Sequence, residues 1–391
     1  MSKKVLVYAI SKDKFSGSQK MILNLLKTLD NKYFDVELLV QSKSPLSKKA
    51  EEFGVKTNFI SFPENLKVHN ESYDGFRDKS ILGKIIFFIT FLCYSFKISK
   101  FVLKNNYDLI WCENPRALLS CTFLRFFRVK IINNMWSIQK SKLLLIYIYL
   151  LSNLIIVETN YQKQLFKKIK LEKTVEVIYT QIDDSVIKKQ YNKSKARSLV
   201  NLPQDNLIIG NLCGFRYMKG ADLFVEIALN YINNYDIDCY FLIGGCNKTD
   251  NLRNSKYILN KIDKINNRFI ILDWINDINV FYQSIDLFVS TSRSEGLPGA
   301  IREAACLGLP ILATNVGGTK EVIGNKSRLI EFNDNSKEDV INKFSSKINE
   351  QLIKIKNQNE NIDKKTKKNC HDKFIDNDYN KKINNTLKNL F

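Results

Sequence analysis

The sequence predicts an α/β protein of two domains, each built around a parallel β-sheet covered by helices on both faces. The chain has 391 residues, more than one ordinary domain core uses, and 45% of them are hydrophobic, which is enough for two cores. Short, continuous apolar runs alternate with helical segments, as buried parallel strands do. The alternation stops at a polar stretch, 184–206, and then starts again.

Thirteen β-branched and aromatic runs are predicted to be strands. Seven precede the polar stretch, at 4–10, 35–41, 57–62, 107–113, 130–136, 153–159 and 175–180. Six follow it, at 207–214, 239–245, 268–274, 286–292, 310–316 and 328–332. Because ligands of open parallel sheets bind beyond the carboxyl ends of the strands, we expect two Rossmann-like domains that face each other across a cleft.

Domain boundaries follow from the same pattern. We expect an N-terminal domain at 1–183, an interdomain linker at 184–206 and a C-terminal domain at 207–370. From about residue 333 the sequence becomes a mixture of Lys, Asn and Asp with sparse apolar positions, which is consistent with surface helices. Residues 371–391 are expected to form a C-terminal helix that can pack back on the N-terminal domain.

Composition limits the class of partner and of site. The formal net charge of +20 is compatible with an anionic partner (a phosphorylated substrate, a nucleic acid or an acidic membrane) or with a merely solvated basic surface. The eight cysteines form no CxxC pair and several lie in apolar runs, so we expect reduced, mostly buried thiols of a cytoplasmic protein. The two histidines, His69 and His371, are far apart, so no histidine-built metal site is expected.

Two apolar segments bear on membranes. The segments 85–96 and 143–157 are shorter than the roughly 18 to 20 residues needed to cross a bilayer, so neither is predicted to span one. Beside the first, Lys97, Lys100 and Lys104 share one helical face. This helix is expected either to lie in the interface of an anionic membrane or to be buried against the first sheet with a basic edge.

The segment SEGLPGAIREAACLGLPILATNVGGTKEV, 294–322, carries two carboxylates among small and apolar residues. Proline-first and glycine-last boundaries predict a helix at 298–307, with Glu303 inside it and Glu295 in the loop before it. Eight residues of helical rise correspond to about 12 Å, which is too long for a glycosidase pair at about 5 to 9.5 Å. Both glutamates could also be simply solvated.

Two carboxylates at this spacing suit one extended ligand with hydroxyl groups at both ends and negative charge between them. A nucleotide-sugar has that shape, with its sugar near Glu295 and its ribose near Glu303. Its diphosphate would lie over the helix start, around Leu297, Pro298 and Gly299, because a helix N-terminus has unpaired N–H groups and a partial positive charge.

A second motif, GFRYMKGADLFVEIA at 214–228, follows the first strand of the second domain. Gly214 allows a sharp turn, and Gly220 allows close backbone approach before a helix that begins near Ala221. Arg216 and Lys219 place two cations at the end of the strand, where they can neutralise a diphosphate. The alternative is a pair of solvated surface cations.

The motif EGLPGAIREAACLGLPILATNVGGTKEV, together with FRYMKG, resembles the retaining glycosyltransferases of the glycosyl-transferase group 1 type, family four of the GT-B fold. The resemblance is strongest over 207–323, and KFSGSQKMILNLLKTL at 14–29 resembles the glycine loop and first helix of that family. It implies transfer of a sugar, with retention, from a nucleotide-sugar to a saccharide or lipid-linked saccharide in bacterial surface polysaccharide synthesis. It further implies an acceptor on the N-terminal domain and no cofactor or metal.

The resemblance also implies residue roles. Arg216 and Lys219 would bind the diphosphate and Glu295 the sugar, and these three are the expected catalytic residues. The expected donor-binding residues are Gly17, Ser18, Gly214, Gly296, Leu297, Pro298, Gly299 and Glu303. Two departures stand out: Ser16, Gly17 and Ser18 replace a pair of adjacent glycines, and Asn133–Trp136 occupies a place where the family often has a histidine.

Two other function classes remain to be weighed. A non-catalytic nucleotide-sugar-binding GT-B protein would keep the second-domain motifs, and the two departures are what favour it. A nucleic-acid-binding protein would need a clustered Lys/Arg face with aromatic platforms, whereas the charge here is dispersed along the chain, so no nucleic acid partner is expected. The expected location is the cytoplasm, either free or on the inner face of the plasma membrane.

Overall fold

The chain folds into two units. The computed structural model describes residues 2–10, 17–66, 80–182, 184–188, 190–246, 253–265, 267–273, 275, 277–333, 336–357, 364–375 and 378–391. Contacts divide the chain into Met1–Thr180 with Asp378–Phe391, and Gln181–Asn377.

The first unit is built on a parallel sheet of seven strands in the order β3-β2-β1-β4-β5-β6-β7. The strands are β1 Lys3–Tyr8, β2 Phe34–Val40, β3 Lys56–Phe59, β4 Leu109–Cys112, β5 Lys130–Met135, β6 Leu154–Val157 and β7 Val175–Val177. Lys3 pairs with Phe34 and Val5 with Leu109, so β1 lies between β2 and β4 at the centre of the sheet.

Helices cover both faces of this sheet. They are α1 Gly17–Thr28, α2 Pro45–Glu52, α3 Ile81–Lys104, α4 Pro115–Leu119, α5 Lys142–Leu151 and α6 Asn160–Lys167. One core cluster contains buried residues of α1 and α2, and another contains those of α3, α4 and α5. This division follows from right-handed crossovers, because the chain moves from β1 towards β3 in one direction and then from β4 towards β7 in the other.

The second unit has a parallel sheet of six strands in the order β10-β9-β8-β11-β12-β13. The strands are β8 Leu207–Leu212, β9 Cys239–Gly244, β10 Phe269–Ile271, β11 Leu287–Ser290, β12 Ile311–Thr314 and β13 Leu329–Ile330. The prediction of two parallel-sheet α/β domains is confirmed, and each of the thirteen predicted runs overlaps one strand. Trp274, the last residue of the predicted 268–274 strand, lies outside the described residues.

Nine helices accompany this sheet in the described part of the second unit. They are α7 Asp184–Ile187, α8 Lys193–Leu199, α9 Ala221–Asn234, α10 Arg253–Ile262, α11 Ile278–Ser284, α12 Gly299–Cys306, α13 Thr319–Ile323, α14 Lys337–Asn357 and α15 Lys364–Phe374. The chain past 333 is helical, as its composition predicts, and α14 buries Val340, Phe344, Ile348 and Leu352 against the sheet.

The stretch predicted as a linker, 184–206, differs from that expectation because it packs as part of the second unit. Arg197 on α8 is buried and donates from Nη2 to Asp286 at 2.7 Å and from Nε to the Ser284 carbonyl at 2.9 Å. Lys193 also pairs with Asp286. A buried carboxylate with two cationic partners fixes α8 beside α11, and these partners are too far apart in sequence for local composition to reveal them.

The last part of the chain divides between the two units. Within 371–391, residues up to 374 complete α15 in the second unit, whereas α16, Tyr379–Lys388, packs in the first unit. There Tyr379, Ile383 and Leu387 are buried in the core cluster that also holds α1 and α2.

One cysteine prediction is wrong. Cys306 and Cys370 form a disulfide, whereas reduced thiols were expected. The pair is separated by 64 residues in sequence and is brought to a Cα–Cα distance of 5.5 Å by the packing of α12 on α15, which no local spacing could show. Of the remaining six, Cys93 is exposed and five are buried free thiols.

The helix α3 is longer than the apolar run on which its sequence prediction was based. It has 24 residues and, by length and composition alone, could cross a membrane. Its second half is a crossover helix of the first sheet, since Tyr94, Ile98 and Val102 are buried in the core and the Tyr94 and Tyr8 hydroxyls are hydrogen-bonded at 2.9 Å.

Candidate active site

The candidate site lies at the carboxyl ends of the two central strands of the second sheet. β8 and β11 are neighbours, and the chain proceeds from β8 to β9 on one side and from β11 to β12 on the other. Such a switch point leaves a crevice between the two diverging loops, and open α/β sheets bind ligands there. Both motifs singled out in the sequence begin at this point.

The loop after β8 turns sharply and carries Lys219. Gly214 has φ +54°, and a Cβ there would lie 2.7 Å from the Gly245 carbonyl oxygen. Gly220 has φ +70°, and a Cβ there would lie 1.9 Å from the Thr291 carbonyl oxygen. Only glycine fits the second position, because the turn presses directly on the loop that leaves β11.

Lys219 and Glu295 form an ion pair across the switch point. The Lys219 Nζ donates to both Glu295 carboxylate oxygens at 2.8 Å, and Ser292 Oγ donates to Oε1 at 2.6 Å. Thr314 Oγ1 in turn donates a hydrogen bond to the Ser292 carbonyl oxygen at 2.6 Å. Glu295 is 8% exposed while the Lys219 side chain is 36% exposed, so the carboxylate is fixed and the ammonium group reaches solvent.

Arg293 joins the two loops behind this pair. Its guanidinium group donates to both oxygens of Asp222 at 2.7 and 2.8 Å and to the Tyr217 carbonyl at 2.8 Å, and it stacks 3.9 Å from the centre of the Tyr217 ring. Both charged side chains are buried. A bidentate, buried pair of this kind fixes orientation, so the short 3-10 turn Tyr217–Lys219 is held against the loop that carries Glu295.

The start of α12 adds a partial positive charge. Pro298 is the N-cap rather than the predicted first helical residue, and it provides no side-chain capping bond. Leu297 and Pro298 are buried, the Gly296 carbonyl accepts from the Gly318 amide at 2.9 Å, and a Cβ on Gly299 would meet nothing within 4 Å. The first-turn amides of this eight-residue helix have no partner within the helix, and the helix begins four residues after Glu295.

Glu303 lies on α12 and has a separate partner. Tyr282, which is fully buried in α11, donates its hydroxyl to Glu303 Oε2 at 2.6 Å. Burial and the nearby carboxylate raise the pKa of Tyr282 well above its usual range, so it remains a hydrogen-bond donor. No sequence pattern marks this tyrosine, which lies 21 residues before its partner.

The structure therefore brings together Lys219, Glu295 and the residues around Pro298. Arg216 is exposed at the same turn and has no ion-pair partner among the described residues. Gly17 and Ser18 belong to the first unit, where they are exposed in the first turn of α1. Ser16 lies outside the described residues.

Buried carboxyl groups also occur at the carboxyl edge of the first sheet, and sequence reasoning missed them. Glu113 follows β4, is 2% exposed and accepts from Trp136 Nε1 at 2.7 Å. Glu158 follows β6 and accepts from Thr180 Oγ1 at 2.7 Å. Burial outweighs the hydrogen bonds and, with the charge of Glu158, raises the pKa of Glu113 to about 8.

Trp136 is the last residue of the segment Asn133–Trp136, which occupies a place where the resembling family often has a histidine, and its indole donates to the buried carboxyl group of Glu113. Nearby in β5, Asn133 is fully buried and neither of its amide atoms finds a hydrogen-bond partner among the described residues.

A cavity of about 540 Å³ opens in the first unit beside the end of β3. Its lining combines polar, aromatic and cationic side chains from the loop after β3 and from the middle of α3, including Ser61, Phe62, Glu64, Thr90, Tyr94 and Lys97. Within the described ranges, no three His, Cys, Asp or Glu side chains lie close enough together to hold a metal ion.

Residues 204–349 match the family model described as glycosyl transferases group 1. The chain is 24% identical over 324 residues to the O-antigen biosynthesis glycosyltransferase WclY of Escherichia coli, covering 80% of each chain. It is 23% identical over 339 residues, or 82% of each chain, to the Escherichia coli UDP-Gal:alpha-D-GlcNAc-diphosphoundecaprenol alpha-1,3-galactosyltransferase.

Solved structures show the same fold. Anabaena HepE, solved in complex with UDP-glucose, superposes with a TM-score of 0.73 at 16% identity over 99% of both chains. Sucrose-phosphate synthase of Thermosynechococcus elongatus superposes with a TM-score of 0.75 at 16% identity, covering 100% of this chain and 99% of the other. The predicted GT-B fold is therefore confirmed.

Proposed function

We propose that this chain, a group 1 glycosyltransferase with the GT-B fold, transfers a sugar with retention from a nucleotide-sugar to a saccharide acceptor in bacterial surface polysaccharide synthesis. The observation that carries the proposal is the Lys219 and Glu295 pair at the β8 and β11 switch point, next to the start of α12. The names of the relatives support the acceptor class, and the UDP-glucose complex of HepE supports the donor class.

Each donor group has a matching partner in this arrangement. The diphosphate would lie between Lys219, Arg216 and the first-turn amides of α12, which together supply its counter-charge without a metal ion. Glu295 would accept hydrogen bonds from the sugar hydroxyls. Glu303 would accept from the ribose hydroxyls, and its bond from Tyr282 sets the direction of its carboxylate.

We propose retention by same-face transfer without a covalent intermediate, and the state of Glu295 supports the second part of this proposal. Its carboxylate is already neutralised by Lys219 and hydrogen-bonded by Ser292, so it is a poor nucleophile and a good positioning group. The bond from the anomeric carbon to the diphosphate oxygen breaks, and the acceptor oxygen bonds to that carbon on the same face. The acceptor proton passes to the departing phosphate oxygen, whose new charge Lys219 and Arg216 stabilise.

The acceptor is proposed to bind to the first unit. The cavity beside β3 offers a hydroxyl, a carboxylate and an ammonium group at Ser61, Glu64 and Lys97, and Phe62 and Tyr94, packed edge to face at 5.1 Å, also line it. Small-molecule sites commonly combine hydrophobic and aromatic surface with a few placed polar groups.

A panel of nucleotide-sugars tests this proposal. Purified protein should release nucleoside diphosphate from one donor when a lipid-linked or free saccharide acceptor is present, and NMR of the product should show the anomeric configuration of the donor. Glu295→Gln should retain measurable transfer, and mass spectrometry should trap no glycosylated peptide. An inverted product, or a sugar covalently attached at Glu295, would contradict the mechanism.

A second candidate function is nucleotide-sugar binding without transfer, which the segment Asn133–Trp136 favours because it occupies a place where the family often has a histidine. Calorimetry separates the two functions. Donor binding that persists with no diphosphate release from any donor and acceptor combination would favour the binding protein. Turnover in the wild type that is lost in Lys219→Ala favours the transferase.

A further inference from the structure

Exposed apolar side chains are concentrated on one part of the first unit. Among the described residues, 21 large hydrophobic side chains are exposed, and 12 of them lie in three segments: the α3 helix, the residues 122–128 and the α5 helix. A patch this concentrated on a soluble surface marks an interaction site rather than ordinary scatter. The 12 are Ile81, Leu82, Ile85, Ile86, Phe88, Ile89, Phe96, Phe126, Phe127, Leu143, Ile146 and Leu150. We call the exposed surface of these three segments the apolar-basic face.

The three segments form one layer. They cover the same face of the first sheet, because their buried residues share one core cluster and α1, α2 and α16 occupy the other. α3 contacts the 3-10 helix Thr122–Phe126, whose Thr122 hydroxyl is hydrogen-bonded to the Tyr147 hydroxyl of α5 at 2.7 Å. The most exposed residues, Ile81 at 80%, Phe126 at 81% and Leu143 at 80%, come from all three segments.

The charge of this face has a single sign. The three segments that form this face contain seven Lys and Arg and no Asp or Glu. Lys97, Lys100, Arg125, Arg128 and Lys142 are exposed there. Two copies of this face would repel each other, whereas an anionic surface would be attracted to it.

The position of α3 decides how it can meet a bilayer. Its first half is exposed and apolar, but its second half is part of the sheet's core through Tyr94, Ile98 and Val102. Passing α3 across a membrane would remove those residues from the core and break the Tyr8 and Tyr94 hydrogen bond. A layer of apolar side chains flanked by cations instead fits the interface of a bilayer, where such surfaces lie in the headgroup region.

We propose that the apolar-basic face docks on a membrane rich in anionic lipids, inserting side chains such as Ile85, Phe88 and Phe126 among the headgroups and placing Lys100, Arg125 and Lys142 on lipid phosphates. The sequence pattern indicates membrane contact for α3 alone. The proposed docking surface also includes residues 122–128 and α5. The inference does not depend on the proposed transferase activity.

Vesicle sedimentation tests the proposal without donor or acceptor. The full chain should sediment with vesicles of phosphatidylglycerol and phosphatidylcholine at low salt, and far less with phosphatidylcholine alone or at 0.5 M salt. The triple variant Lys100→Glu, Arg125→Glu, Lys142→Glu should lower the partition coefficient at least tenfold. The double variant Phe88→Ser, Phe126→Ser should lower it on anionic vesicles by a similar factor.

Matched controls separate the face from overall charge and hydrophobicity. Lys20→Glu, Lys32→Glu, Lys48→Glu makes the same change in net charge at exposed positions outside this face. Phe53→Ser, Ile353→Ser removes two exposed apolar groups elsewhere, at 52% and 45% exposure. Both control variants should bind vesicles within about twofold of the wild type, and all variants should keep the thermal unfolding midpoint of the wild type.

Hydrogen exchange gives an independent readout that does not rely on substitution. Vesicles should slow exchange in the first half of α3 and in α5, and leave α1 and α2 unchanged. Equal binding to neutral and anionic vesicles, equal loss in the control variants, or protection confined to α1 and α2 would overturn the proposal. So would a concentration-dependent dimer, seen by sedimentation velocity, that the face variants abolish.

Discussion

Lys219 is placed where charge changes during the proposed reaction, whereas Glu303 is not. Lys219→Ala is expected to lower kcat by about 100-fold or more, because it removes a cation facing the departing diphosphate. Glu303→Ala is expected mainly to raise KM for the donor, because a ribose contact is made equally in the ground and transition states. Steady-state release of nucleoside diphosphate measures both. Lys320→Ala, an exposed lysine in α13, is the control, and wild-type kinetics in all three variants would remove the site assignment.

Glu113 makes stability depend on pH. Its folded-state pKa of about 8 is higher than its usual value of 4.5, so the folded chain binds more protons than the unfolded chain between these two values. The stabilising contribution is therefore present below pH 4.5 and is lost as the pH rises towards 8, by up to about 5 kcal/mol. Glu158, Tyr379 and Cys112 are ionisable groups that interact electrostatically with Glu113.

Glu113→Gln should remove this dependence. The thermal unfolding midpoint of the wild type should fall between pH 5.5 and pH 8.5 by more than that of the variant, and above pH 8 the variant should be the more stable protein. Glu176→Gln, on β7 at the surface, is the control and should follow the wild type. A variant that tracks the wild type across this range would mean that Glu113 is ionised throughout.

At the level of elements, Arg293 links the loop after β11 to the turn and helix after β8. It is not placed in contact with the donor, but its removal is expected to affect turnover. Arg293→Ala should lower kcat because the turn that carries Lys219 loses the bonds to Asp222 and Tyr217 that fix it. If Arg293 acts only through Lys219, the double variant Arg293→Ala, Lys219→Ala should have the kcat of Lys219→Ala alone. Multiplicative losses would mean that Arg293 acts independently.

The control for the Arg293→Ala variant is Arg268→Ala. It breaks an ion pair with Asp238 at 3.5 Å in the same unit, where Asp238 is well exposed. Exposed pairs contribute about 0 to 1 kcal/mol, so kcat and stability should both stay near those of the wild type.

The strands could be predicted because their signal is local. Each parallel strand is buried on both faces, so it appears as a continuous apolar run such as Leu287–Ser290. The candidate site was predictable to the extent that it follows strand ends, as Lys219 and Glu295 do.

Partners brought together from distant parts of the chain could not be predicted. Arg293 and Asp222, Tyr282 and Glu303, Cys306 and Cys370, and Glu113 and Trp136 meet only after the sheets form. The packing of α8 on α11 is missed for the same reason, since its sequence is polar and its buried contact is one arginine. The local pattern of a single sequence does not indicate which distant residues contact each other.

At the scale of the whole molecule, the last segment of the chain, Asp378–Phe391, packs in the same unit as Met1–Thr180. Ending the chain after residue 377 removes Tyr379, Ile383 and Leu387 from the core that covers α1 and α2. Burial of each such side chain contributes about 1.5 to 3 kcal/mol, so the first unit should lose several kcal/mol of stability. Urea unfolding of the full-length and shortened chains measures this, with the second unit's transition as an internal reference.

A single substitution gives the same test without shortening the chain. Leu387→Ala should lower the stability of the first unit by about 2 to 5 kcal/mol, as truncation of a buried leucine usually does. Lys381→Ala, exposed on the same helix, should change it by less than about 0.5 kcal/mol. Equal effects of the two would show that α16 contributes no packing to the first unit.

The return of α16 to the first unit also sets an order of synthesis. Residues 181–377 are contiguous, so the second unit has its full sequence before the ribosome reaches residue 378. At about 5 to 20 residues per second, roughly 10 to 40 s separate the end of the first unit's main segment from the start of its last helix. During that interval the side of the nascent sheet that carries α1 and α2 lacks its final cover, so the part of the protein made first is the part completed last.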